Sequence, residues 1–287
     1  MPDLIAITVG PGLEPALWTG ITFSKELHRK ISAISHKPLA IIGANHLEGH
    51  LYSFLLPQKT MSHVAFPMSQ MFPAIALLVS GGHTILLKMD SLTKWKKLGE
   101  TRDDAAGEAF DKVARMLKLL YPGGPEIEKI AKKGNPEAIS FPRPMLNQKN
   151  YDFSFSGLKT SVFYHLKGLG FGVEGIGVNK KLNPIPYTLK ANVAASFQQA
   201  VVDVLASKTL RAARAYGAQS IILCGGVAAN EALRSELRQA TRDMGIKFFV
   251  PDNKYNTDNA AMIAAAGYFA YFKKKKLPFV ANGDLGI

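Results

Sequence analysis

The sequence has 287 residues, of which 47% are hydrophobic and 20% charged, and this composition excludes a disordered or fibrous protein. Its 35 Lys and Arg against 22 Asp and Glu give a net charge of +13, which fits either a polyanionic partner or a generically basic surface. The single cysteine, Cys224, rules out an intramolecular disulfide, and no apolar run is long enough to span a bilayer. With no secretory signal in the first 20 residues, we expect a cytoplasmic protein.

Apolar runs alternate with helical patterns along the chain. The elements predicted from them, in chain order, are strand Leu4–Val9, helix Leu17–Ile34, strand Leu39–Ile42, helix His46–Leu55 capped by Asn45, strands Ala74–Val79 and Thr84–Lys88, helices Ala105–Leu120, Glu126–Lys133 and Leu189–Tyr216, strand Ser220–Leu223, helix Ala228–Met244, strand Lys247–Val250 and helix Asn259–Phe272. The stretch Gly168–Pro186 is rich in Gly, Asn and Pro and predicts a mobile loop. This alternation is typical of an α/β protein with parallel sheets.

The segment NHLEGH, from Asn45 to His50, carries two histidines four residues apart. Residues at this spacing share a helix face, so His46 and His50 can converge on one metal ion, although two ordinary helix histidines would have the same spacing. A zinc-protease helix needs a glutamate directly after the first histidine or directly before the second. Those places hold Leu47 and Gly49, so the pattern disfavours a zinc protease.

Three glycine-bearing loops follow, one at the tip of a predicted hairpin and two that lead into helices. They are Ser80-Gly81-Gly82-His83-Thr84, Pro122-Gly123-Gly124-Pro125 and Gly225-Gly226-Val227-Ala228-Ala229-Asn230. Glycines let a backbone approach a phosphate or a base closely, and helix N-termini offer unpaired N–H groups to an anion. A single loop of this kind is commonly a plain turn, but three in one α/β chain favour a nucleotide ligand.

Two acidic segments leave alternatives open. Asp103–Lys112 (DDAAGEAFDK) carries four acidic residues at the start of a helix, where acids often only complement the helix dipole. Within it, Asp111 could form a surface pair with Arg115 or accept hydrogen bonds from a ribose. Near the C-terminus, Asp258 is either the N-cap of the last helix or a carboxylate that completes a metal site with the two histidines.

Seven segments carry a resemblance to a known family. They are, in this order, GPGLEPALWTG, NHLEGH, LLVSGGHT, DDAAGEAFDKVARMLKLLYPGGP, FSFSGLKT, GGVAANEALR and TDNAAMIAAAG. Together they resemble the TsaD family, the bacterial-type tRNA N6-adenosine threonylcarbamoyltransferases, from Asp3 to Tyr271. The resemblance implies an α/β, two-lobed fold like that of actin, sugar kinases and heat-shock chaperones (the ASKHA fold). It implies that residues 1–72 form the first lobe with the two-histidine helix, that 73–258 form the second lobe with the nucleotide loops, and that 259–287 return to the first lobe.

The same resemblance implies an activity and a set of site residues. The family transfers the threonylcarbamoyl group from threonylcarbamoyl-adenylate to N6 of adenosine 37 in tRNAs that read codons beginning with A, and AMP is released. One divalent ion, Fe2+ or Zn2+, would be bound by His46, His50 and Asp258, and His83 is the candidate general base. The residues that the resemblance places around the adenylate are Ser80, Gly81, Gly82, His83, Thr84, Asp111, Gly124, Glu128 and Asn230. Relatives often have Asp where this chain has Glu128.

Family members also have a strand, a loop, further strands and a helix before the point that matches Asp3. We therefore expect an incomplete first lobe that retains two strands. This leaves the hypothesis of a catalytically impaired fragment, or of half of a split enzyme that acts as a scaffold. A metal-dependent glycoprotease is a third hypothesis, disfavoured by Leu47 and Gly49. The expected partners are tRNA, threonylcarbamoyl-adenylate and homologues of TsaB and TsaE, with no membrane.

Overall fold

The computed structural model describes residues 2–57, 68–171, 184–274 and 277–287. The chain divides into two compact units, one formed by residues 1–65 with 251–287 and the other by 66–250. The lobe boundaries drawn after residues 72 and 258 stay a prediction. Most of the loop predicted at Gly168–Pro186 falls on residues 172–183, which lie outside the described residues.

Strands and helices alternate through most of the chain, as the hydrophobic pattern predicts. They are, in chain order, β1 (Leu4–Gly10), α1 (Glu14–Ile34), β2 (Ala40–Asn45), α2 (His46–Tyr52), β3 (Ala74–Val79), β4 (Thr84–Ser91), β5 (Lys94–Glu100), α3 (Ala106–Met116), α4 (Gly123–Ala131), α5 (Ser156–Gly168), α6 (Tyr187–Ala215), β6 (Ser220–Cys224), α7 (Glu231–Asp243), β7 (Lys247–Phe249) and α8 (Ala260–Phe272). Short 3₁₀ turns extend α2 over Ser53–Leu55 and precede α7 at Gly226–Ala229. None of the helices among the described residues is both long and apolar enough to cross a membrane.

The first unit is built on a parallel pair of strands. β1 pairs with β2 from Leu4 opposite Ala40 to Thr8 opposite Ala44, and α1 supplies the crossover that parallel neighbours require. α8 packs against both strands. Its Gly267 makes this approach possible, because a Cβ atom there would lie 2.3 Å from the Cβ atom of Ala6. The prediction of two strands is confirmed for the described part of this unit.

The second unit contains a mixed five-stranded sheet in the order β5-β4-β3-β6-β7. β3, β4 and β5 form an antiparallel meander, whereas β6 and β7 run parallel to β3. Every residue of β3 and of β6 is buried, as is typical of strands covered on both faces. The expected parallel sheet is therefore only half of the sheet, because the Gly81-Gly82 hairpin turns β4 back beside β3.

The core of the second unit lies between this sheet and its helices. The 29-residue α6 packs on β3 and β6 and also contacts α4, α5 and α7. Phe110 of α3 meets Phe197 of α6 edge to face, with ring centroids 5.2 Å apart. Both rings are buried in one continuous apolar cluster. This cluster fixes the positions of the helix N-termini that surround the glycine loops.

Two elements were not predicted from the sequence. β5 reads KWKKLGE, with polar residues on both faces, and it lies at the edge of the sheet. Exposed lysines on an edge strand discourage pairing with other chains, which explains why this strand lacks an apolar signature. α5 begins at Ser156, and the residue that fixes its start, Asp103, lies some fifty positions earlier in the chain.

Candidate metal centre and substrate loops

Asn45 determines where the two-histidine helix begins. Its Oδ1 accepts hydrogen bonds from the backbone N–H groups of Leu47 at 2.8 Å and Glu48 at 3.3 Å, so it is the N-cap of α2 as predicted. Its Nδ2 donates to the carbonyl oxygen of Gly286 at 2.8 Å. Both ends of this buried amide are therefore engaged, and His46 is held as the first residue of the helix.

The structure brings His46, His50 and Asp258 together within the first unit. The Oδ1 atom of Asp258 lies 3.4 Å from Nε2 of His46 and 3.3 Å from Nε2 of His50. The candidate ligand atoms of the three side chains all lie within 4.8 Å of one another. His50 is buried, whereas the Asp258 side chain is 75% exposed, so the cluster is open on the carboxylate side.

The loop before α8 places Asp258 at this cluster. Asn259, rather than Asp258, is the N-cap of α8, since its Oδ1 accepts a hydrogen bond from the N–H of Met262 at 2.9 Å. Of the two alternatives for Asp258, the helix cap is therefore wrong. α8 packs against α2 at Gly49, where an added Cβ would lie 3.1 Å from Ile263 and 3.2 Å from Met262. The glycine of the NHLEGH segment thus brings the histidine helix close to the start of α8.

The geometry and the donors of this cluster fit a metal ion. Ligands at about 2.0–2.1 Å from a tetrahedral zinc ion stand roughly 3.3 Å apart, which matches the two nitrogen–oxygen separations. Hydrogen bonds from His46 and His50 hold the pKa of the Asp258 carboxyl far below its ordinary value, so this oxygen donor is charged. The other ring nitrogen of His50, Nδ1, is buried without a hydrogen-bond partner among the described residues.

A cavity of about 280 Å³ opens beside two of these residues in the first unit. His46 and Asp258 form one part of its lining. The rest comes from the end of β1 and the start of α1, through Ile7, Thr8, Pro11, Gly12, Leu13, Ala16, Leu17 and Gly20. A small, mostly apolar space next to a cluster of polar donors is the usual form of a ligand site.

In the second unit, the segment Ser80–Thr84 forms the predicted hairpin tip. The N–H of Ser80 donates to the carbonyl oxygen of His83 at 2.8 Å, and the N–H of His83 donates to Oγ of Ser80 at 3.2 Å. Gly81 and Gly82 are exposed, with open space where a Cβ would stand. Thr84 differs from the rest, since it is fully buried and its hydroxyl accepts a hydrogen bond from the N–H of Ala106 at 2.9 Å. Thr84 therefore caps α3.

The loop after β6 meets this hairpin at the same edge of the sheet, because β3 and β6 are parallel neighbours. Gly225 has a φ of +93°, and a Cβ there would lie 2.3 Å from the carbonyl oxygen of Val79. Only glycine combines this left-handed backbone with so close an approach. The carboxyl ends of β3 and β6 thus place two of the three glycine loops side by side.

Asp111 and the Pro122–Pro125 loop meet at the start of α4. The Oδ1 atom of Asp111 accepts a hydrogen bond from the N–H of Gly123 at 2.7 Å. This interaction, rather than an ion pair with Arg115, is the one that Asp111 makes among the described residues. Gly124, the next residue, has open space at its Cβ position. The Asp111 carboxylate and the first turn of α4 therefore lie together here.

Glu128 and Asn230 meet at the start of α7. Asn230 is its N-cap, since its Oδ1 accepts from the N–H of Leu233 at 3.0 Å while its Nδ2 donates to Gln198 at 2.8 Å. The carboxylate of Glu128 accepts a hydrogen bond from the N–H of Glu231 at 3.3 Å. The side chains of both predicted site residues therefore meet the N-terminus of α7, Glu128 from α4 and Asn230 as the cap of α7 itself.

Sequence reasoning missed what the first two acids of DDAAGEAFDK do. The carboxylate of Asp103 accepts hydrogen bonds from the N–H groups of Phe155 at 2.8 Å and Ser156 at 3.2 Å, so it caps α5 from a distance. Asp104 forms ion pairs with Lys112 at 2.8 Å and Lys159 at 2.7 Å. These contacts join the DDAAGEAFDK and FSFSGLKT segments. The sequence did contain a signal for this role. Two acids directly precede a helix whose first turn already has an acidic residue, Glu108, so they are not needed to complement its dipole.

Comparison with known proteins gives consistent matches along the sequence. A family model described as TsaD, tRNA N6-adenosine threonylcarbamoyltransferase, matches residues 2–265. The protein of that description from Moorella thermoacetica is 48% identical over 280 residues, which are 98% of this chain and 74% of the relative. Those from Thermosipho melanesiensis and Desulfitobacterium hafniense are 48% and 44% identical and cover 93% and 99% of this chain, or 72% and 75% of the relatives.

Solved structures of HypF share the fold. HypF from T. kodakarensis has a TM-score of 0.62 at 14% identity, over 99% of this chain and 42% of HypF. A full-length HypF in the phosphate- and nucleotide-bound form gives 0.60 at 12% identity, over 95% of this chain and 39% of HypF. This chain therefore spans about two fifths of either HypF chain, and the likeness concerns the fold alone. It confirms the predicted ASKHA class.

Proposed function

This chain belongs to the TsaD family of tRNA N6-adenosine threonylcarbamoyltransferases, and we propose how its residues carry out that reaction. It is an acyltransferase that moves the threonylcarbamoyl group from threonylcarbamoyl-adenylate to N6 of adenosine 37 in tRNA and releases AMP. The observation that carries this assignment is the match to family members over nearly the whole chain, together with the convergence of His46, His50 and Asp258. The scaffold and glycoprotease hypotheses are not better supported.

The three residues of the first unit would hold one divalent ion, which we take to be Fe2+ or Zn2+. Two imidazoles and one carboxylate suit either ion and leave coordination positions for a substrate. When bound, such an ion would supply a Lewis acid for a carbonyl or phosphate oxygen of a substrate. The protein's contribution is to present Nε2 of both histidines on one helix face and to keep Asp258 ionised.

The glycine loops of the second unit would hold the AMP part of the adenylate. The open space at the Cβ positions of Gly81, Gly82 and Gly124 lets a phosphate or a base approach closely, and the first turns of α4 and α7 offer N–H groups. Asp111 uses one carboxylate oxygen on Gly123, which leaves the other for a ribose hydroxyl. Glu128 and Asn230 hold the start of α7 in place beside the ligand. Thr84, which is fully buried, acts by positioning the start of α3.

The reaction forms a bond between N6 of the adenosine and the carbamoyl carbon, and it breaks the bond between that carbon and a phosphate oxygen. AMP leaves with the electron pair of the broken bond, and the attacking amine gives up one proton. His83 is our candidate for the group that accepts this proton, because it is partly exposed at the end of the Ser80–Thr84 hairpin. Holding the leaving group in the glycine loops aligns the carbamoyl carbon for attack.

tRNA is the nucleic-acid substrate of this reaction. We infer that homologues of TsaB and TsaE assist the enzyme, as the family resemblance implies. Because its substrate is tRNA, we place the enzyme in the cytoplasm. The net charge of +13 supports binding to the phosphate backbone of that substrate.

A His50→Ala variant tests the metal assignment together with the activity. It should lose most of the bound divalent ion and most threonylcarbamoyladenosine formation, because one of the three ligands is removed. The matched control is His36→Ala, which changes an exposed histidine between α1 and β2 and should keep both. Elemental analysis and mass spectrometry of digested tRNA are the readouts. A His50→Ala variant that stays folded, as rich in metal and as active as the parent, would refute the assignment.

A further inference from the structure

The turn between α3 and α4 exposes two large apolar side chains. Leu120 is 75% exposed and Tyr121 is 84% exposed, the highest value for any large hydrophobic side chain among the described residues. A single exposed aromatic residue is common on protein surfaces. Here, however, the exposed tyrosine directly precedes Pro122 and Gly123, and the N–H of Gly123 is bonded to Asp111.

The same turn holds a lysine in a backbone conformation that favours glycine. Lys118 has a φ of +55° where α3 ends, with the N–H of Leu119 bonded to the carbonyl oxygen of Ala114 and that of Lys118 to Arg115, both at 3.0 Å. This arrangement commonly ends with glycine, because a side chain in the left-handed region is penalised. Lys118 is exposed, and no ion pair with a described residue offsets that penalty.

A second exposed cation lies six residues before the tyrosine. Arg115 is exposed, lies one helical turn after Asp111, and is likewise in no ion pair within the described part of the chain. Tyr121 is two residues from Gly123, so their Cα atoms are at most about 7.6 Å apart. An exposed aromatic residue and two exposed cations, neither in an ion pair with a described residue, therefore lie in the segment that connects Asp111 to Gly123, whose N–H is bonded to that carboxylate.

We propose that the segment from Arg115 to Tyr121, which is the end of α3 and the turn after it, binds single-stranded RNA next to the adenosine that is modified. The proposal rests on the function given above. Tyr121 stacks on an unpaired base of the tRNA loop, while Lys118 and Arg115 contact its phosphates. Proteins that hold single-stranded nucleic acid combine an aromatic platform with nearby cations, since every base has a face that can stack and every nucleotide carries a negative charge.

The first test compares Tyr121→Ala with Tyr164→Ala, which removes another exposed tyrosine, on α5. The probe is an isolated anticodon stem–loop that contains adenosine 37, titrated at fixed salt without adenylate. Tyr121→Ala should weaken binding roughly five- to 150-fold, the range expected for the loss of one base–aromatic stack. Tyr164→Ala and Tyr121→Phe should bind as the parent does. If Tyr121→Ala binds the stem–loop as tightly as the parent does, the proposal is overturned. That holds also if the variant binds a protein partner less tightly, because the exposed ring would then serve that partner and not RNA.

The second test uses the unusual backbone of Lys118. Lys118→Gly should raise the melting temperature and yet weaken RNA binding, with the log–log salt slope reduced by about 0.7, as for one lost phosphate contact. Lys274→Gly is the matched control, because Lys274 is also exposed, has a φ of +55° and follows the end of α8. It should raise the melting temperature and leave the RNA affinity unchanged. Equal weakening by both variants would show a general charge effect and overturn the proposal.

These binding measurements remain informative if the proposed function fails. A parent chain that binds the stem–loop in the Tyr121-dependent manner but never forms threonylcarbamoyladenosine would contradict the function, while the RNA contact would stand. A parent chain that modifies tRNA, with variants that bind as it does, would contradict only the RNA contact.

Discussion

In the candidate metal centre, the spacing of residues in the sequence predicts two of the three ligands but not the third. His46 and His50 are four residues apart, and their Nε2 atoms do converge, as the helical repeat predicts. The third partner could not be chosen by spacing, because Asp258 and Asn259 are both good helix caps. The structure resolves this through a long-range contact, the packing of α8 against α2 at Gly49, which no local pattern encodes.

Gly225 provides a prediction about a single residue. Gly225→Ala should destabilise the second unit by about 2–4 kcal/mol, since the new Cβ meets the carbonyl oxygen of Val79 and the backbone is left-handed. The next residue supplies the control, because a Cβ at Gly226 has open space. Gly226→Ala should change stability by less than about 0.5 kcal/mol. Thermal or urea unfolding measures both, and equal effects of the two substitutions would show that the close approach is not a constraint.

Lys208 provides a prediction about pH. This lysine of α6 is fully buried and donates to the carbonyl oxygen of Asn150 at 3.2 Å. Burial, with a further contribution from the charge of Arg211, lowers its pKa to about 8. Between pH 8 and about 10.4, the pKa of lysine in an unfolded chain, the unfolded state binds more protons at Lys208 than the folded state does. The free energy of unfolding therefore increases as the pH rises through this interval. Below pH 8 both states are protonated, and the cost of burying the charge is present in full.

The measurement compares Lys208→Met with the parent by urea unfolding at pH 7 and pH 10. The substitution should stabilise the protein more at pH 7 than at pH 10, because the parent sheds part of the burial cost over that interval. Lys167→Met, at an exposed lysine of α5, should show no such difference. A Lys208→Met variant with the same effect at both pH values would mean that the lysine titrates as if it were exposed.

At the scale of helices and strands, the sequence predicts an element well where its apolar pattern is strong. It does not predict an edge strand without an apolar run or a helix whose cap lies elsewhere in the chain. The buried strands β3 and β6 read as continuous apolar runs, and both were predicted nearly to the residue. β5 has no such run because it is an edge strand rich in lysine. α5 begins where Asp103 caps it from another part of the chain, so its start could not be read locally.

The cap of α8 provides a prediction at this scale. Asn259→Ala removes the acceptor for the N–H of Met262 and should cost about 0.5–2 kcal/mol of stability. Asn259→Asp keeps a capping oxygen and should unfold at nearly the same urea concentration as the parent. The contradicting result would be that Asp258→Ala lowers stability by this amount and keeps its bound metal, while Asn259→Ala leaves stability unchanged. Asp258, and not Asn259, would then be the cap of α8.

At the scale of the whole molecule, composition and element order predicted the α/β class but could not predict which segments share a compact unit. The first unit joins residues 1–65 with 251–287, so the metal cluster combines a ligand pair and a third ligand more than 200 positions apart. The sheet order β5-β4-β3-β6-β7 likewise depends on pairings between β3 and β6 that no local pattern specifies. Family resemblance, rather than periodicity, supplied the fold and the activity.

The most direct test of the account is a product measurement on two tRNA transcripts that differ only at position 37. The chain, loaded with Fe2+ or Zn2+ and supplied with TsaB and TsaE homologues and threonylcarbamoyl-adenylate, is incubated with the parent transcript or with one that carries guanosine at that position. We expect one threonylcarbamoyladenosine for each AMP released in the presence of the parent transcript, and none with the guanosine transcript. AMP release without a modified nucleoside, or equal modification of both transcripts, would contradict it.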